Sequence, residues 1–189
     1  MSTALQLSLA EYDRLVKKGV FENLRHRRVE LIRGELRQMS PPGPSHEEAV
    51  DLLTRWSFEV TDQTKVRIRV QSTVGLPKLE SVPLPDLVWA RERSYHKKRP
   101  QAEDVFLVIE VSDSSLNYDR GKKARLYAES GVADYWVVNL RDNCLEVFRD
   151  PQEGEYQSHE VIDRGGTVRP LSFPKVKLSV SRVFDWYAV

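Results

Sequence analysis

The chain has 189 residues, which suits one compact domain, predicted here to span residues 1–189. Its 29 basic and 28 acidic side chains nearly cancel, so the net charge gives no sign of a nucleic-acid binder, and any basic surface must come from local clustering. The single cysteine excludes an internal disulfide framework and a cysteine-based zinc site, and the absence of a secretory signal pattern or a membrane-length apolar run favours the cytoplasm.

The first part of the chain is predicted to form a helix and then a β-hairpin. Ser8 and Glu11 make the S-x-x-E pattern of a capping box, and Gly19 is a typical end for the helix that follows. Two β-type segments come next, Val29–Ile32 and Glu35–Met39, with only two residues between them. Such short spacing indicates a hairpin.

A second helix is predicted after the loop Pro41-Pro42-Gly43-Pro44. Ser45 and Glu48 repeat the capping-box pattern at its start. Behind them, apolar residues recur at helical spacing and predict one buried stripe: Ala49, Leu52, Leu53, Trp56 and Val60.

The rest of the chain is predicted to form a sheet with one more long helix. Strands are indicated at Lys65–Gln71, Leu87–Ala90, Val105–Val111 and Asp134–Asn139. A helix from Arg120 to Ser130, with Asp119 as its N-cap, connects the last two strands in a βαβ-like unit. Peripheral β-segments are expected in the C-terminal region, before a short helix capped by Ser181: Leu145–Arg149, Tyr156–Ile162 and Pro174–Leu178.

Two acidic residues stand where a carboxylate is costly. Glu110 lies inside the apolar strand VFLVIEV, and a buried carboxylate needs a cation, a hydrogen-bond network or a raised pKa. Strand alternation places Glu110 and Ser112 on one face of that strand. Asp86 opens the apolar segment upstream. If the two strands are neighbours, the two carboxylates converge on a divalent cation, and their oxygen ligands favour Mg²⁺ or Mn²⁺.

Lys123 is the predicted third member of this site. It lies one helical turn from both Asp119 and Tyr127, so the three side chains share one face of the predicted helix. Because this helix follows the Glu110 strand directly, it could return Lys123 to the strand end. A lysine there would stabilise negative charge on a phosphate or orient a water.

These residues and their surroundings resemble a known family. Pro85-Asp86 and Glu110-Val111-Ser112 are similar to the Asp…Glu-x-Lys signature of the PD-(D/E)XK nuclease superfamily. Two longer segments, VELIRGELRQMSPPGPSH and EVSDSSLNYDRGKKARLYAESGVADYWVVN, resemble the "putative restriction endonuclease" family within it, formerly a domain of unknown function and common in cyanobacteria. The resemblance extends from about Ser8 to Asn139.

This resemblance implies an α/β fold with a restriction endonuclease-like core, in which helices flank a mixed β-sheet, and extra β-strands at the C-terminus. It also implies a magnesium-dependent active site at a split in the sheet, with Asp86 and Glu110 as the metal ligands. The superfamily lysine would stand at position 112, which is Ser112 here, so its role passes to Lys123 on the following helix. Glu30 is a further candidate catalytic acid near the metal. Superfamily members often form homodimers to reach both strands of a duplex.

Each of these residues also has a purely structural interpretation. Glu110 could simply form an ion pair, Glu30 could face solvent, and Asp119 could act only as a helix cap. His46 is a candidate accessory residue, although a lone histidine at a helix start is more often structural. Three basic groups would form a phosphate-binding rim only if they converge in space: Arg25–Arg28, Lys97–Arg99, and Lys122 with Arg125.

The sequence therefore predicts a metal-dependent endonuclease that hydrolyses phosphodiester bonds in DNA, with Mg²⁺ or Mn²⁺ as its cofactor. Because Ser112 replaces the usual lysine, a second hypothesis stays open: a catalytically inactive nuclease-fold module that binds nucleic acid or has a regulatory role. A third hypothesis is a two-carboxylate hydrolase that acts on sugars, which needs two carboxyl groups flanking a deep cleft and no bound metal.

Overall fold

The computed structural model describes residues 6–21 and 28–185, which form a mixed α/β arrangement. The strands are β1 (Val29–Ile32), β2 (Glu35–Gln38), β3 (Val66–Val70), β4 (Leu87–Arg91), β5 (Val105–Ser112), β6 (Asp134–Asn139), β7 (Cys144–Gln152), β8 (Glu155–Asp163), β9 (Thr167–Val168) and β10 (Leu178–Ser179). The helices are α1 (Leu9–Lys17), α2 (Pro44–Val60), α3 (Leu116–Tyr118), α4 (Ala124–Ser130) and α5 (Ser181–Phe184). A π-helical turn, Asp119–Lys123, joins α3 to α4 without a break.

Six strands form the main sheet, in the order β3-β4-β5-β6-β7-β8. β5 and β6 run parallel and are connected through α3 and α4, which is the predicted βαβ-like unit. The other neighbouring strands are antiparallel. The sheet is therefore mixed, as predicted.

Helices cover both faces of this sheet. On one face, Trp56 of α2 packs against Trp89 and Trp136, with ring centroids 5.0 and 6.1 Å away. On the other face, α4 buries Leu126 and Tyr127. The central strand β5 is thus enclosed on both sides, which explains why its sequence is almost wholly apolar. The predicted fold class is confirmed.

β1 and β2 form a separate hairpin beside the main sheet. Arg33 and Gly34 at its turn both have positive φ angles, of 51° and 79°, as the tight type I′ turn requires. An isolated bridge between Leu31 and Val82 attaches the hairpin to the segment that leads into β4. This attachment brings β1 close to the start of β4, where Asp86 lies.

Helix α1 begins as predicted, but the start of α2 differs. Ser8 and Glu11 form both hydrogen bonds of the capping box. The predicted box at Ser45 and Glu48 is wrong, because α2 begins at Pro44 with Gly43 as its N-cap and no side-chain cap. Proline suits the first helical position, since its φ is already fixed and a backbone N–H at that position would have no acceptor within the helix.

The helix after β5 also begins earlier than predicted. It starts at Leu116, so Asp119 lies inside it and is not its N-cap. A π turn holds one more residue than an α turn, which breaks the i+3/i+4 spacing on which helix prediction depends.

The C-terminal region is only partly as predicted. β7 and β8 extend the main sheet instead of forming a peripheral unit. The predicted strand Pro174–Leu178 is reduced to β10, which pairs with β9. The N-cap of α5 is Val180, and Ser181 is its first residue.

Within the described ranges, no helix has the length and apolar character needed to cross a membrane.

Candidate active site

Asp86 and Glu110 lie next to each other at one edge of the main sheet. Leu87 of β4 pairs with Ile109 of antiparallel β5, so Asp86, just before β4, stands opposite Glu110. The backbone N–H of Val111 donates to Asp86 Oδ2 at 2.9 Å. The two carboxylates are 3% and 2% exposed, yet both line one cleft of about 630 Å³. The chain thus brings together the two acids that the sequence singled out.

Lys123 reaches this pair from the π turn. Its Nζ donates to Glu110 Oε1 at 2.9 Å and lies 3.0 Å from Glu30 Oε1. Asp119 Oδ1, four residues earlier on the same helix, is 3.8 Å away. Burial alone would lower the pKa of Lys123, but these three carboxylates raise it well above its ordinary value. Lys123 is therefore a buried ammonium within an acidic cluster.

Glu110 is held by two donors. Tyr127 Oη donates to the same Oε1 that Lys123 contacts, at 3.0 Å. Burial raises the pKa of Glu110 well above its usual range; Lys123 opposes this shift, whereas the charges of Asp119 and Asp86 reinforce it. Nearby cations favour the charged form of such a buried carboxylate.

Ser112 occupies the position of the superfamily lysine and acts as a hydrogen-bond donor. Its fully buried hydroxyl donates to Asp119 Oδ2 at 2.7 Å. Burial raises the pKa of Asp119, and Lys123 and the serine hydroxyls of Ser112 and Ser115 lower it. Ser112 therefore helps to fix Asp119, while the positive charge at the site comes from Lys123.

His46 and Arg28 approach Asp86 from outside the sheet. His46 Nε2, near the start of α2, is 3.1 Å from Asp86 Oδ2. A carboxylate only accepts, so Nε2 carries the proton in this contact. Arg28 Nη1 lies 4.0 Å from Asp86 Oδ1. This Oδ1 is buried and has no hydrogen-bond partner among the described residues.

Acidic residues predominate in the cleft. Four of them, each no more than 3% exposed, line it: Glu30, Asp86, Glu110 and Asp119. Lys123 Nζ lies within 4 Å of three of these carboxylates, and Arg28 Nη1 lies 4.0 Å from the fourth, that of Asp86. No hydrogen bond from a described residue reaches Asp86 Oδ1 or Glu110 Oε2. No group of three or more His, Cys, Asp or Glu in the described ranges is arranged to hold a metal. Mg²⁺ typically takes one or two carboxylates and keeps several waters, so this pair fits Mg²⁺ or Mn²⁺.

The predicted basic rim does not form as a whole. Arg25, His26 and Arg27 lie outside the described residues. The groups Lys97–Arg99 and Lys122 with Arg125 do not line the cleft, and Arg99 and Arg125 pair with Asp13 and Glu155 instead.

Two residues that the sequence reasoning missed do line the cleft, Arg37 and Tyr118. The predicted hairpin could have indicated Arg37, because it stands opposite Glu30 in the β1–β2 register. No pattern in the sequence singles out Tyr118.

Comparisons with known proteins agree with this fold. The model of the Uma2 family, described as "Putative restriction endonuclease", matches residues 9–181. A crystal structure of "a putative nuclease belonging to DUF820" from Anabaena variabilis is similar to this chain, with a TM-score of 0.74 and 18% sequence identity. The similarity covers 95% of this chain and 98% of that one, and at this identity it shows the fold alone. No curated protein matches the chain.

Proposed function

The chain belongs to the Uma2 family of "putative restriction endonucleases", and from this premise we propose that it is a metal-dependent endonuclease that hydrolyses phosphodiester bonds in DNA. The observation that carries the proposal is the buried Oδ1 of Asp86, which lies beside Glu110 in the cleft and accepts no hydrogen bond from a described residue, with only Arg28 Nη1 nearby at 4.0 Å. A buried carboxylate oxygen without a hydrogen bond is costly, and a cation shared with Glu110 would reduce that cost.

The proposed metal ligands are Asp86 and Glu110. A divalent ion held by them would polarise a phosphoryl oxygen and lower the pKa of a bound water. Val111 N–H and His46 donate to Asp86 Oδ2, which leaves Oδ1 without a hydrogen bond from a described residue. Tyr127 and Lys123 donate to Glu110 Oε1, which leaves Oε2 free. Hydrogen bonds of this kind orient ligating carboxylates.

Lys123 supplies the positive charge at the proposed site. Its ammonium lines the cleft and would lower the free energy of a phosphate whose negative charge grows during the reaction. Glu30 contacts the same Nζ and also accepts from Leu84 N–H at 2.7 Å, so it fixes the lysine in place. We propose that Lys123 takes over the role of the superfamily lysine, and that Glu30 assists as its anchor.

Nicking of supercoiled plasmid in Mg²⁺ or Mn²⁺ tests the proposal. We expect Asp86→Asn and Glu110→Gln, which keep the shape of each side chain, to lower the nicking rate about a hundredfold or more. The exposed Glu160 provides the matched control, and Glu160→Gln should cleave like the wild type. Equal cleavage by all variants would indicate contamination and would disprove the site assignment.

Ser112 in the lysine position favours a second candidate, a module that binds nucleic acid without cleaving it. A folded wild type that binds DNA or RNA but cleaves neither in any divalent metal would support this module. The distance of 2.9 Å from Lys123 to Glu110 favours the nuclease, because an alternative cation is in place.

We further propose that the protein acts as a homodimer, since two sites are needed to cut both strands of a duplex in one binding event. Sedimentation velocity gives the oligomeric state. The ratio of linear to nicked plasmid at early times shows whether two sites act together. A monomer that produces only nicks would contradict the dimer and leave the nuclease proposal intact.

A further inference from the structure

We propose that Arg37, stacked on Tyr118, binds a phosphate of the nucleic-acid backbone at the mouth of the cleft. This inference rests on the proposed function, because it names the part of the substrate that this wall of the cleft would hold. The contact is to the backbone, so it would add affinity and position the strand without reading base sequence.

The hairpin places Arg37 next to the acidic cluster. Arg37 of β2 stands directly opposite Glu30 of β1 in the antiparallel register, so the two side chains leave the same face of the hairpin. Glu30 turns inward to Lys123, whereas Arg37 lines the cleft. The hairpin thus contributes both the carboxylate that holds the buried lysine and a cation on the wall of the cleft.

The guanidinium of Arg37 is held in place and still has free donors. Its Cζ lies 3.8 Å from the centroid of the Tyr118 ring, which is close stacking. Within the described ranges no carboxylate or hydrogen-bond acceptor contacts it. Arg28, the other arginine of the cleft wall, already donates to Gln71 Oε1 at 2.6 Å. A guanidinium stacked on a ring keeps its edge donors, and that edge matches the oxygens of a phosphate.

The charge of the cleft explains why such a residue is needed. Its floor carries four buried carboxylates, which repel a phosphate chain. Lys123 is enclosed by three of them and is 2% exposed, so it offers little attraction at long range. A cation on the wall without a carboxylate partner counteracts this repulsion where the strand enters.

Binding of a fluorescently labelled DNA duplex, measured by anisotropy in Ca²⁺ over a range of salt concentrations, tests this role. We expect Arg37→Ala to weaken binding about tenfold and to lower the slope of log affinity against log salt by about 1, as the loss of one phosphate contact should. Arg14→Ala removes the same charge from an exposed helix position outside the cleft and should keep the wild-type affinity and slope.

Three further variants separate charge from stacking. Arg37→Lys should keep most of the salt slope but lose affinity, because an ammonium cannot form a bidentate contact. Tyr118→Leu, which removes the ring beneath Arg37, should weaken binding. Tyr118→Phe keeps the ring and removes a buried hydroxyl that has no partner among the described residues, so it should bind like the wild type.

The Mn²⁺ affinity, measured by electron paramagnetic resonance, should change less than about twofold in Arg37→Ala, since a structural collapse would abolish it.

The outcomes distinguish this role from the proposed function. If Arg37→Ala and Arg14→Ala show the same affinity and slope, the Arg37 contact is disproved, while cleavage by the wild type would leave the nuclease in place. If the wild type binds but does not cleave, and Arg37→Ala loses slope, the contact stands and the nuclease fails. A wild type that binds neither duplex nor single strand overturns both.

Discussion

Lys123 stabilises the folded cluster and is also the residue to which we assign the positive charge of the proposed site. Its ammonium lies within 4 Å of three carboxylates, and none of the four residues is more than 3% exposed. Loss of one partner from a buried charge cluster is much more costly than the net stabilisation by the pair, because the remaining charges stay desolvated. The lysine is thus needed for stability before any substrate arrives.

We predict that Lys123→Met lowers the free energy of unfolding by about 3 kcal/mol or more, because Glu110, Glu30 and Asp119 lose the one buried cation that pairs with them among the described residues. Lys122→Met is the matched control, since the neighbouring lysine is exposed and should change stability by no more than about 0.5 kcal/mol. Urea denaturation measures both values. Equal stability of the two variants would show that the cluster needs no lysine to fold.

The acidic residues of the site and Lys123 were predictable, whereas the contacts made by His46 and Arg37 were not. Glu110 stands out because a carboxylate inside an apolar strand needs a specific partner, and this cost is visible in the sequence. The contacts of His46 with Asp86 and of Arg37 with Tyr118 join elements far apart in the chain. Such pairs depend on how the elements pack, and no local pattern encodes that packing.

At the level of elements, the π turn sets the geometry of the site. It contains both Asp119 and Lys123 and directs both side chains towards β5. π turns inside α-helices are rare and occur often at functional sites, because the extra residue disturbs the regular hydrogen bonding. Gly121 lies in the middle of this turn, where an added Cβ would meet no atom within 4 Å.

Two glycines of this helix should respond to alanine in opposite ways. We predict that Gly121→Ala raises the free energy of unfolding by about 0.5–1 kcal/mol, because its backbone is helical and alanine restricts the unfolded chain. Gly131→Ala should lower it by about 1 kcal/mol, because Gly131 ends α4 with a φ of 86° that alanine disfavours. Thermal and urea melts of both variants measure the difference. Destabilisation by Gly121→Ala would mean that the turn needs the freedom of glycine.

Some of the secondary-structure elements could be predicted from sequence patterns alone, and others could not. The hairpin and the βαβ unit follow from a two-residue turn and from the hydrophobic pattern of successive segments, so they were predicted correctly. α3 was missed because the π turn interrupts helical spacing. The pairing of β7 with β6 in the main sheet was missed because strand patterns reveal which faces are buried and not which strand lies next to which.

For the whole molecule, the near-zero net charge conceals an uneven distribution. The 29 basic and 28 acidic side chains almost cancel over the chain, yet four carboxylates and one ammonium are buried around a single cleft. Composition averages over the molecule, so it cannot report such a cluster. Burying acidic residues this close together opposes folding, and a cation that binds them only in the folded state stabilises the whole chain.

Divalent metal should therefore raise the melting temperature. A ligand that binds only the folded state stabilises it by about 2.7 kcal/mol at a concentration of one hundred times its Kd. For a chain of this size, that corresponds to about 5–10 °C. We expect this shift with Mg²⁺ or Mn²⁺ and its reversal by EDTA. In Asp86→Asn the shift should be lost, because the side chain no longer carries the negative charge that would hold the metal. Glu160→Gln should shift like the wild type, since Glu160 is exposed and does not line the cleft. An equal shift in all three proteins would place the metal elsewhere and would contradict the assignment of Asp86.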